Sequence, residues 1–563
     1  MKTKIFLFLL VMVSLQACDL TEVPLDRYSS TTFYKSESDA KSALTGVYAD
    51  LLQYGFYKSS YFPMLEASSD ALFCFDGAES YILFGQKKYN SDTPFIKFVW
   101  YMMYMTIQDA NLVIANVPNI NFDQNSKNRI LGEAYFLRGW TYFNLVRTFG
   151  GVPVRLTPTV DASNLYISKS SVDSVYSVIF SDLKKASALM PYKAKQPANE
   201  LGRANKGSAQ AILSLAYLTR EQWQNALTYS DSVISNGGYS LMNNYADLWD
   251  VSKEGAQANE VCFALQFTRD PLTGGAASIG SDMPNIYVPS NAAGMTGNKA
   301  SNGGGSGRIK VQPFFYKMYN TGDYYNATSK VLDYRTEKTF LSKWSTGKYD
   351  SKGSLIYTTI TPTNYYQFRY AYLAKYTDPA GLDSRNSENN LNIIRLAEVY
   401  LIKAEALNEL NRTTEALVPF NIVRDRAQKA DGTTVRPVPV QHTITTLTNM
   451  LGSEPTLKDK FREVIFHERG LELIGECSRW FDLVRMKRSD GRTYYEYMLD
   501  PQNGYVKDHN LVAGVNELAS PGNCNDYVPS NLLYFSKYKL FPISQEEFLN
   551  NSALSSADQN PGY

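Results

Sequence analysis

The chain has 563 residues and a formal net charge of +1, with Lys and Arg scattered along it, which leaves no cationic footprint for nucleic acid. Apolar residues make up 44% and aromatic residues 13% (41 Tyr, 28 Phe, 6 Trp), enough for a large core spread over three or four units of ordinary size. After Cys18 no apolar run reaches the roughly 20 residues that a membrane-spanning helix needs, which excludes an integral helical membrane protein.

The first element is the apolar run Ile5–Leu15 behind Lys2 and Lys4, too short to span and built like a secretory signal. Leu15-Gln16-Ala17-Cys18 resembles the lipobox of bacterial lipoproteins, so cleavage is expected after Ala17 with acylation of Cys18. One acyl chain anchors weakly and two or more hold stably, so a triacylated Cys18 would fix the protein to a membrane.

Helical periodicity then dominates. "SESDAKSALTGVYADLLQ" predicts a helix with Ser36 or Ser38 as N-cap. "TPFIKFVWYMMYMTIQDANLVIANV" predicts a second, with Trp100, Tyr104 and Ile107 at core spacing. In "SKNRILGEAYFLRGWTYFNLVRTFGGVPV" an apolar stripe runs through Leu131, Ala134, Leu137 and Leu145, Gly150-Gly151 ends the helix and Pro153 prevents its resumption. "SSVDSVYSVIFSDLKKASALM" predicts another, capped near Ser171. Two helix-turn-helix segments then suggest a repeat. Tyr217 is followed by Ala226, Ser230 and Val233, and Ala404 with Leu407 by Ala416, Phe420 and Val423. Small residues at these positions allow close antiparallel packing, as in tetratricopeptide pairs.

Between about 236 and 390 the helical pattern fails in favour of Gly-, Asn-, Ser- and Tyr-rich text, with "YYQFRYAYLAKY" alternating like a short strand. So long an irregular segment is uncommon without a function, and its aromatics argue against disorder. Helices return at "NIIRLAEVYLIKAEAL" and "KFREVIFHERGLELIGECSRWFDLVRMKR". Arg138, Glu468, Arg469, Arg479 and Asp482 are charges on apolar helices and read as a structural ion-pair network, because a buried charge needs a partner.

Catalytic motifs are missing. His467-Glu468 has no second His four positions on, no Gly-x-Ser-x-Gly elbow occurs, and the glycines at 303–307 lack a following Lys-Ser/Thr. Cys74, Cys262, Cys477 and Cys524 show no metal-type spacing and read as single buried thiols, with pairing of two of them the alternative in an exported chain. No enzyme, cofactor or metal is expected.

Several segments in this order resemble the SusD/RagB family of outer-membrane lipoproteins of the Bacteroidota. The carriers are Cys18, "FYKSESDAKSALTGVYADL", "AYFLRGWTYFNLVRTFGGVPV", "GRANKGSAQAILSLAYL", "NIIRLAEVYLIKAEALNEL", "ERGLELIGECSRWFDLVR" and "KYKLFPISQEEFLNNSAL". The resemblance implies a mainly α fold: a tetratricopeptide-like scaffold of helix pairs with a large irregular, loop-rich insertion carrying short strands. It implies a signal peptide (1–17), an N-terminal helical region (18–235), an aromatic-rich ligand-binding region (236–390) and a C-terminal helical region (391–563). It also implies a lipid-anchored position on the cell surface at the outer membrane. There the protein would capture oligosaccharides, or alternatively peptides, for a SusC-like TonB-dependent transporter; a surface glycoside hydrolase is the more distant alternative.

Sugar binding needs flat rings for the C–H face and polar side chains for the hydroxyls. Two regions offer that mixture. The loop before the second long helix carries Asp70, Asp76, Tyr81 and Tyr89, and the insertion carries Tyr287, Tyr316, Trp344 and Tyr366.

Overall fold

The computed structural model describes residues 33–563 apart from 75–78, 86, 160, 162–163, 254–258, 270–278, 291, 293, 296–303, 313–314, 316–334, 342, 360–370, 382, 428–441, 449–453, 499–536 and 538. Cys18 lies outside the described residues. Helix α1 (Glu37–Leu51) begins at Ser36, whose hydroxyl accepts from the Asp39 N–H while the Asp39 carboxylate accepts from the Ser36 N–H. This reciprocal box satisfies two otherwise orphaned donors. Helix α2 (Tyr61–Ser68) and the short α3 (Glu79–Gly85) precede α4 (Pro94–Asn116), which has Pro at its first position. Trp100 of α4 is buried, as its spacing implies, and its indole N–H donates to Glu547 at 3.0 Å. Helix α5 (Gln124–Phe149) ends at Gly150, whose φ of +75° suits glycine, and α6 (Val172–Leu189) is capped by Ser171.

Two hairpins follow the predicted repeat: α7 (Lys206–Thr219) with α8 (Trp223–Asn236), and, beyond the insertion and its short α9 (Met283–Tyr287) and α10 (Arg335–Thr339), α11 (Leu396–Glu409) with α12 (Thr413–Ala427). Their turns are built alike. Glu221 and Asn411 take φ of 56° and 62°, and Gln222 N–H and Arg412 N–H each donate at 2.9 Å, to Tyr217 O and Leu407 O. Tyr217, Ala226, Ser230, Val233, Ala404, Leu407, Ala416, Phe420 and Val423 are all buried. From α4 to α8 each helix packs on the next, α8 packs on α11, α11 on α12, and α11 also carries α13 (Leu457–Leu473). The result is a stack of helix pairs in which the long helices bury their apolar stripes against one another.

The irregular insertion is closed at its base. Strand β1 (Leu72–Phe73) lies before the insertion, and β2 (Val261–Leu265) enters it. Strand β3 (Lys310–Val311) pairs back onto β1, joining the insertion to the N-terminal loop. Three short strands lead to β7: β4 (Phe340–Leu341), β5 (Lys343–Tyr349) and β6 (Leu355–Thr359). β4 pairs with β7 (Tyr372–Leu373), β5 with β6, and β2 with β8 (Leu391–Arg395), all antiparallel. The β2–β8 ribbon therefore brings the two ends of the insertion together where α11 begins.

Below that ribbon lies a buried ionic hub. Glu468 and Glu472 of α13, and Glu476 one turn beyond, form a stripe at four-residue spacing that the apolar interior does not solvate. Arg395, the residue before α11, donates to Glu260 (2.9 Å), Glu472 (2.5 Å) and Glu476 (2.9 Å); Arg426 of α12 donates to Glu260 (2.8 Å) and also pairs with Glu472. The insertion contributes two cations: Arg335 donates to Glu468 (2.7 Å) and Glu472 (2.8 Å), and Lys375 to Glu476 (2.8 Å). Burial pushes the Glu472 carboxyl up, but the Arg426, Arg395 and Arg335 guanidiniums outweigh it and hold it below the usual range. A second branch joins Arg469 to Glu398 (2.8 Å) and Asp482 (2.7 Å), the latter on α14 (Arg479–Arg485). Arg138 clasps Asp182 through two bonds of 2.7 and 2.8 Å, joining α5 to α6. Each of the charges expected to be paired is paired, but they fall in separate groups rather than one network: Glu468 in the hub, Arg469 with Asp482, Arg138 with Asp182, and Arg479 with Asp70.

Removing one member of such a hub leaves uncompensated buried charge, which costs roughly 3–5 kcal/mol, whereas exposed pairs contribute about 0–1 kcal/mol. Glu472→Ala is accordingly expected to lower unfolding stability by several kcal/mol in denaturant titration, and Lys41→Ala at the exposed Glu37 pair to leave it nearly unchanged. Glu66 behaves oppositely. Its Oε1 accepts from the Cys477 N–H at 2.7 Å, and burial, against that bond and Lys375, pushes its carboxyl up to about 8. A folded value above the unfolded one (about 4.3) means that the stability it contributes is full below the unfolded value and is lost as pH rises toward about 8. Glu66→Gln is expected to flatten the decline in Tm across that interval; an unchanged slope would refute it.

Candidate functional site

The loop before α4 and the insertion meet at one place. An irregular turn at Tyr54–Lys58, with Phe56 at φ −124° and ψ −121°, breaks the chain after α1 and directs Lys58 and Ser59 inward. Local departures of this kind are common at functional sites. Across from it, Asp282 precedes α9, and the backbone at Ser281 pairs with Ser387. The glycine-rich run reads here as a close-approach device rather than a phosphate loop. A side chain at Gly305 would stand 2.2 Å from Pro284 O, so only glycine lets this segment lie against α9. Ser306 N–H and Ile309 N–H then bond Asn285 O (2.7 Å) and Ile286 O (3.2 Å), which fixes Arg308 between them.

These elements converge on a small polar cluster. Ser59 Oγ donates to Asp282 Oδ2 at 3.0 Å and lies 3.4 Å from the Tyr81 hydroxyl. The Arg308 guanidinium sits 5.2 Å from the Tyr81 ring centroid, a cation–π arrangement. Asp282 is 2% exposed, its Oδ1 has no hydrogen-bond partner, and Arg385 Nε stands 3.8 Å away. Burial pushes the Asp282 carboxyl up to about 6, against the pull of Arg385, the Ser59 bond, Lys58 and Arg308. Burial also lowers Lys58, which Asp282 and Asp383 partly restore.

An exposed aromatic rim adjoins the cluster. Tyr54 is 40% exposed, Phe98 39% and Tyr101 58%. Phe98 and Met102 of α4 flank Gly55, at 3.4 and 3.3 Å from the Cβ position there, so this rim abuts the turn that carries Lys58. The arrangement offers ring faces to C–H surfaces and an unsatisfied carboxylate oxygen with two half-buried guanidiniums to hydroxyls.

The residues singled out from sequence divide sharply. Tyr81 joins the cluster. Asp70 does not: Arg479 Nε and Nη2 occupy both of its oxygens at 2.7 Å, making it a brace between the loop and α14. Tyr89 is buried against Phe84 (5.0 Å) and Phe541 (5.1 Å), and Tyr287 is stacked on Tyr376 (5.5 Å) with Phe62 at its edge. Trp344 is 5% exposed with Tyr372 edge-on at 5.6 Å. The expectation of open ring faces is corrected at these three and at Tyr81, whose ring is 4% exposed and packs edge-on to Phe95, leaving its hydroxyl as its contribution to the cluster: in so aromatic a chain most rings lower their free energy by leaving water. Asp76, Tyr316 and Tyr366 lie outside the described residues. Tyr54, Phe98, Tyr101, Asp282, Arg308 and Arg385 were not singled out. One signal was present, since "PFIKFVWYMMYM" is apolar on every side, and a peripheral helix of that kind presents an apolar face outward.

The comparisons with known proteins agree with this architecture. Residues 259–563 match the SusD family, and residues 25–218 match a family described as starch-binding and associating with the outer membrane. A SusD-like protein, P2, of Formosa agariphila is 29% identical over 495 residues, covering 85% of this chain and 90% of the relative. A laminarin-binding SusD-like protein superposes with a TM-score of 0.68 at 23% identity, covering 94% of this chain and all of its own. Surface glycan-binding protein A of Bacteroides uniformis gives 0.66 at 20% identity, covering 93% and 99%. With more than half of its length matched by one family and the same scaffold in solved relatives, the chain belongs to the SusD family.

Proposed function

We propose that this protein is a surface lipoprotein that captures oligosaccharides at the Tyr81–Asp282–Arg308 cluster and its aromatic rim and hands them to a SusC-like TonB-dependent transporter. The observation that carries the reading is the coincidence, in a SusD-family chain, of exposed rings with a buried carboxylate oxygen that lacks a hydrogen-bond partner. A glycan is the ligand class that uses both, because its C–H face covers Tyr54 or Tyr101 while a hydroxyl donates to Asp282 Oδ1. The laminarin-binding and glycan-binding names of the structural neighbours support the same class. Peptide capture is the alternative within this architecture. Binding, not turnover, is the activity assigned.

Calorimetric titration against a panel of oligosaccharides and peptides tests this. Binding to one glycan class is expected, with Tyr54→Ala, Tyr101→Ala and Arg308→Ala each weakening it by roughly 1–2 kcal/mol, about 5–30-fold. A response to peptides alone would overturn the ligand class. Binding is also expected to tighten as pH rises through about 6, where the Asp282 carboxyl ionises into a better acceptor, and Asp282→Asn should remove that dependence. For the anchor, Cys18→Ser is expected to move the protein from the membrane to the soluble fraction and to abolish palmitate labelling; retention in the membrane would refute lipidation there.

A further inference from the structure

A second cavity, of about 260 Å³, lies between the N-terminus of α7, the loop preceding it and one side of the β2–β8 ribbon. It shares no lining residue with the Tyr81 cluster. Among the described residues its polar lining is mostly amide, from Gln196, Asn205, Asn259, Gln266, Asn390 and Asn392, and no Asp or Glu lines it.

Asn392 is the anomaly. It stands in a strand reading Leu-Asn-Ile-Ile-Arg, pairs across the ribbon with Ala264, and is only 3% exposed. Yet its side chain, which lines the cavity, makes no hydrogen bond in the structure. Its polar atoms are not sealed off but open onto the cavity, with donors and acceptor uncommitted. Its neighbours are committed. Asn205 caps α7, accepting from Gly207 N–H (2.8 Å) and Ser208 N–H (3.2 Å) and donating to Gln196 (3.1 Å); Gln196 in turn donates to Arg203 O at 3.2 Å. The cations at the wall are engaged as well: Arg203 by Glu133 (3.3 Å) and Thr45 (2.9 Å), Lys193 by Asn259 (3.5 Å).

Gln266 completes the picture at the mouth. It is exposed and makes no hydrogen bond, and its amide lies directly over Gly202. A side chain at Gly202 (φ +96°) would fall 1.9 Å from Gln266 Nε2, so glycine there leaves room for that arm. Leu201, 54% exposed, supplies an apolar edge beside it. An amide both donates and accepts, as a hydroxyl does, so two uncommitted amides facing an acid-free cavity match an uncharged ligand rich in hydroxyls. The volume is near the lower end of the roughly 300–1,000 Å³ typical of ligand pockets, which suits a single ring more than a chain.

We infer that this cavity is a second ligand site, taking one uncharged sugar ring between the Asn392 and Gln266 amides. It is independent of the Tyr81 reading and stands or falls separately. The test is saturation-transfer NMR of the purified protein with D-glucose, D-galactose and D-mannose. Transfer to at least one of these sugars is expected, lost in Asn392→Leu, which fills the space without hydrogen-bonding capacity, and weakened several-fold in Gln266→Ala. Oligosaccharide affinity at the Tyr81 cluster should be unchanged in both variants. Should Asn392→Leu fail to fold, the exposed Gln266→Ala decides alone. Undiminished transfer in the variants, or no transfer from any of the three sugars to the wild-type protein, would overturn the inference.

Discussion

A row of buried carboxylates, Glu468, Glu472 and Glu476, sets the terms for the rest of this molecule. Carboxylates spaced one turn apart in an apolar interior are untenable without cations at hydrogen-bonding distance. The chain supplies them from three directions: Arg395 at the ribbon, Arg424 and Arg426 from the second hairpin, and Arg335 and Lys375 from the insertion. Charge compensation thus does for the insertion what helical packing does for the scaffold. It gives an irregular chain a fixed seat, because displacing Arg335 or Lys375 would strand a charge in the core.

The candidate site inherits that rigidity. Asp282, Arg308 and Arg385 belong to the insertion, whereas Lys58, Ser59 and Tyr81 belong to the N-terminal loop, and neither group makes a site alone. Strand β3 pairs with β1, the glycine-rich run lies against α9, and Asp70 is clamped by Arg479. The first fixes the two sides relative to each other, the second braces the insertion within itself, and the third ties the loop to α14. Asp70 therefore serves the site from a distance, as part of the frame that holds Tyr81 opposite Arg308. Polar groups held in this way are preorganised, so ligand binding need not supply the free energy of ordering them.

How much of this could be read in the sequence depended on whether the signal was local. The two hairpins were legible because small residues and turns recur at a fixed spacing, and the matching φ values at Glu221 and Asn411 are the physical content of that repeat. The ion-pair charges were legible too, since an Arg or Glu on an apolar helix demands a partner whoever that partner is. What could not be read was pairing across long separations. That Asp70 meets Arg479, that Ser59 meets Asp282 and that the Asn392 amide opens onto a cavity are facts of tertiary arrangement. Tyrosine-rich text was a poor guide for the same reason: it reports that rings are present, while the fold decides that Tyr89 and Tyr287 are interior and Tyr54 and Tyr101 are not.

The central claim is that the N-terminal loop and the insertion together form the ligand surface. It is met most directly by a crystal structure of the protein soaked with the oligosaccharide it binds most tightly. Sugar density against Tyr54 or Tyr101 with a hydroxyl at Asp282 Oδ1 is the result expected. Density seated wholly on the helical hairpins, or on the insertion with no contact to residues 54–101, would contradict it.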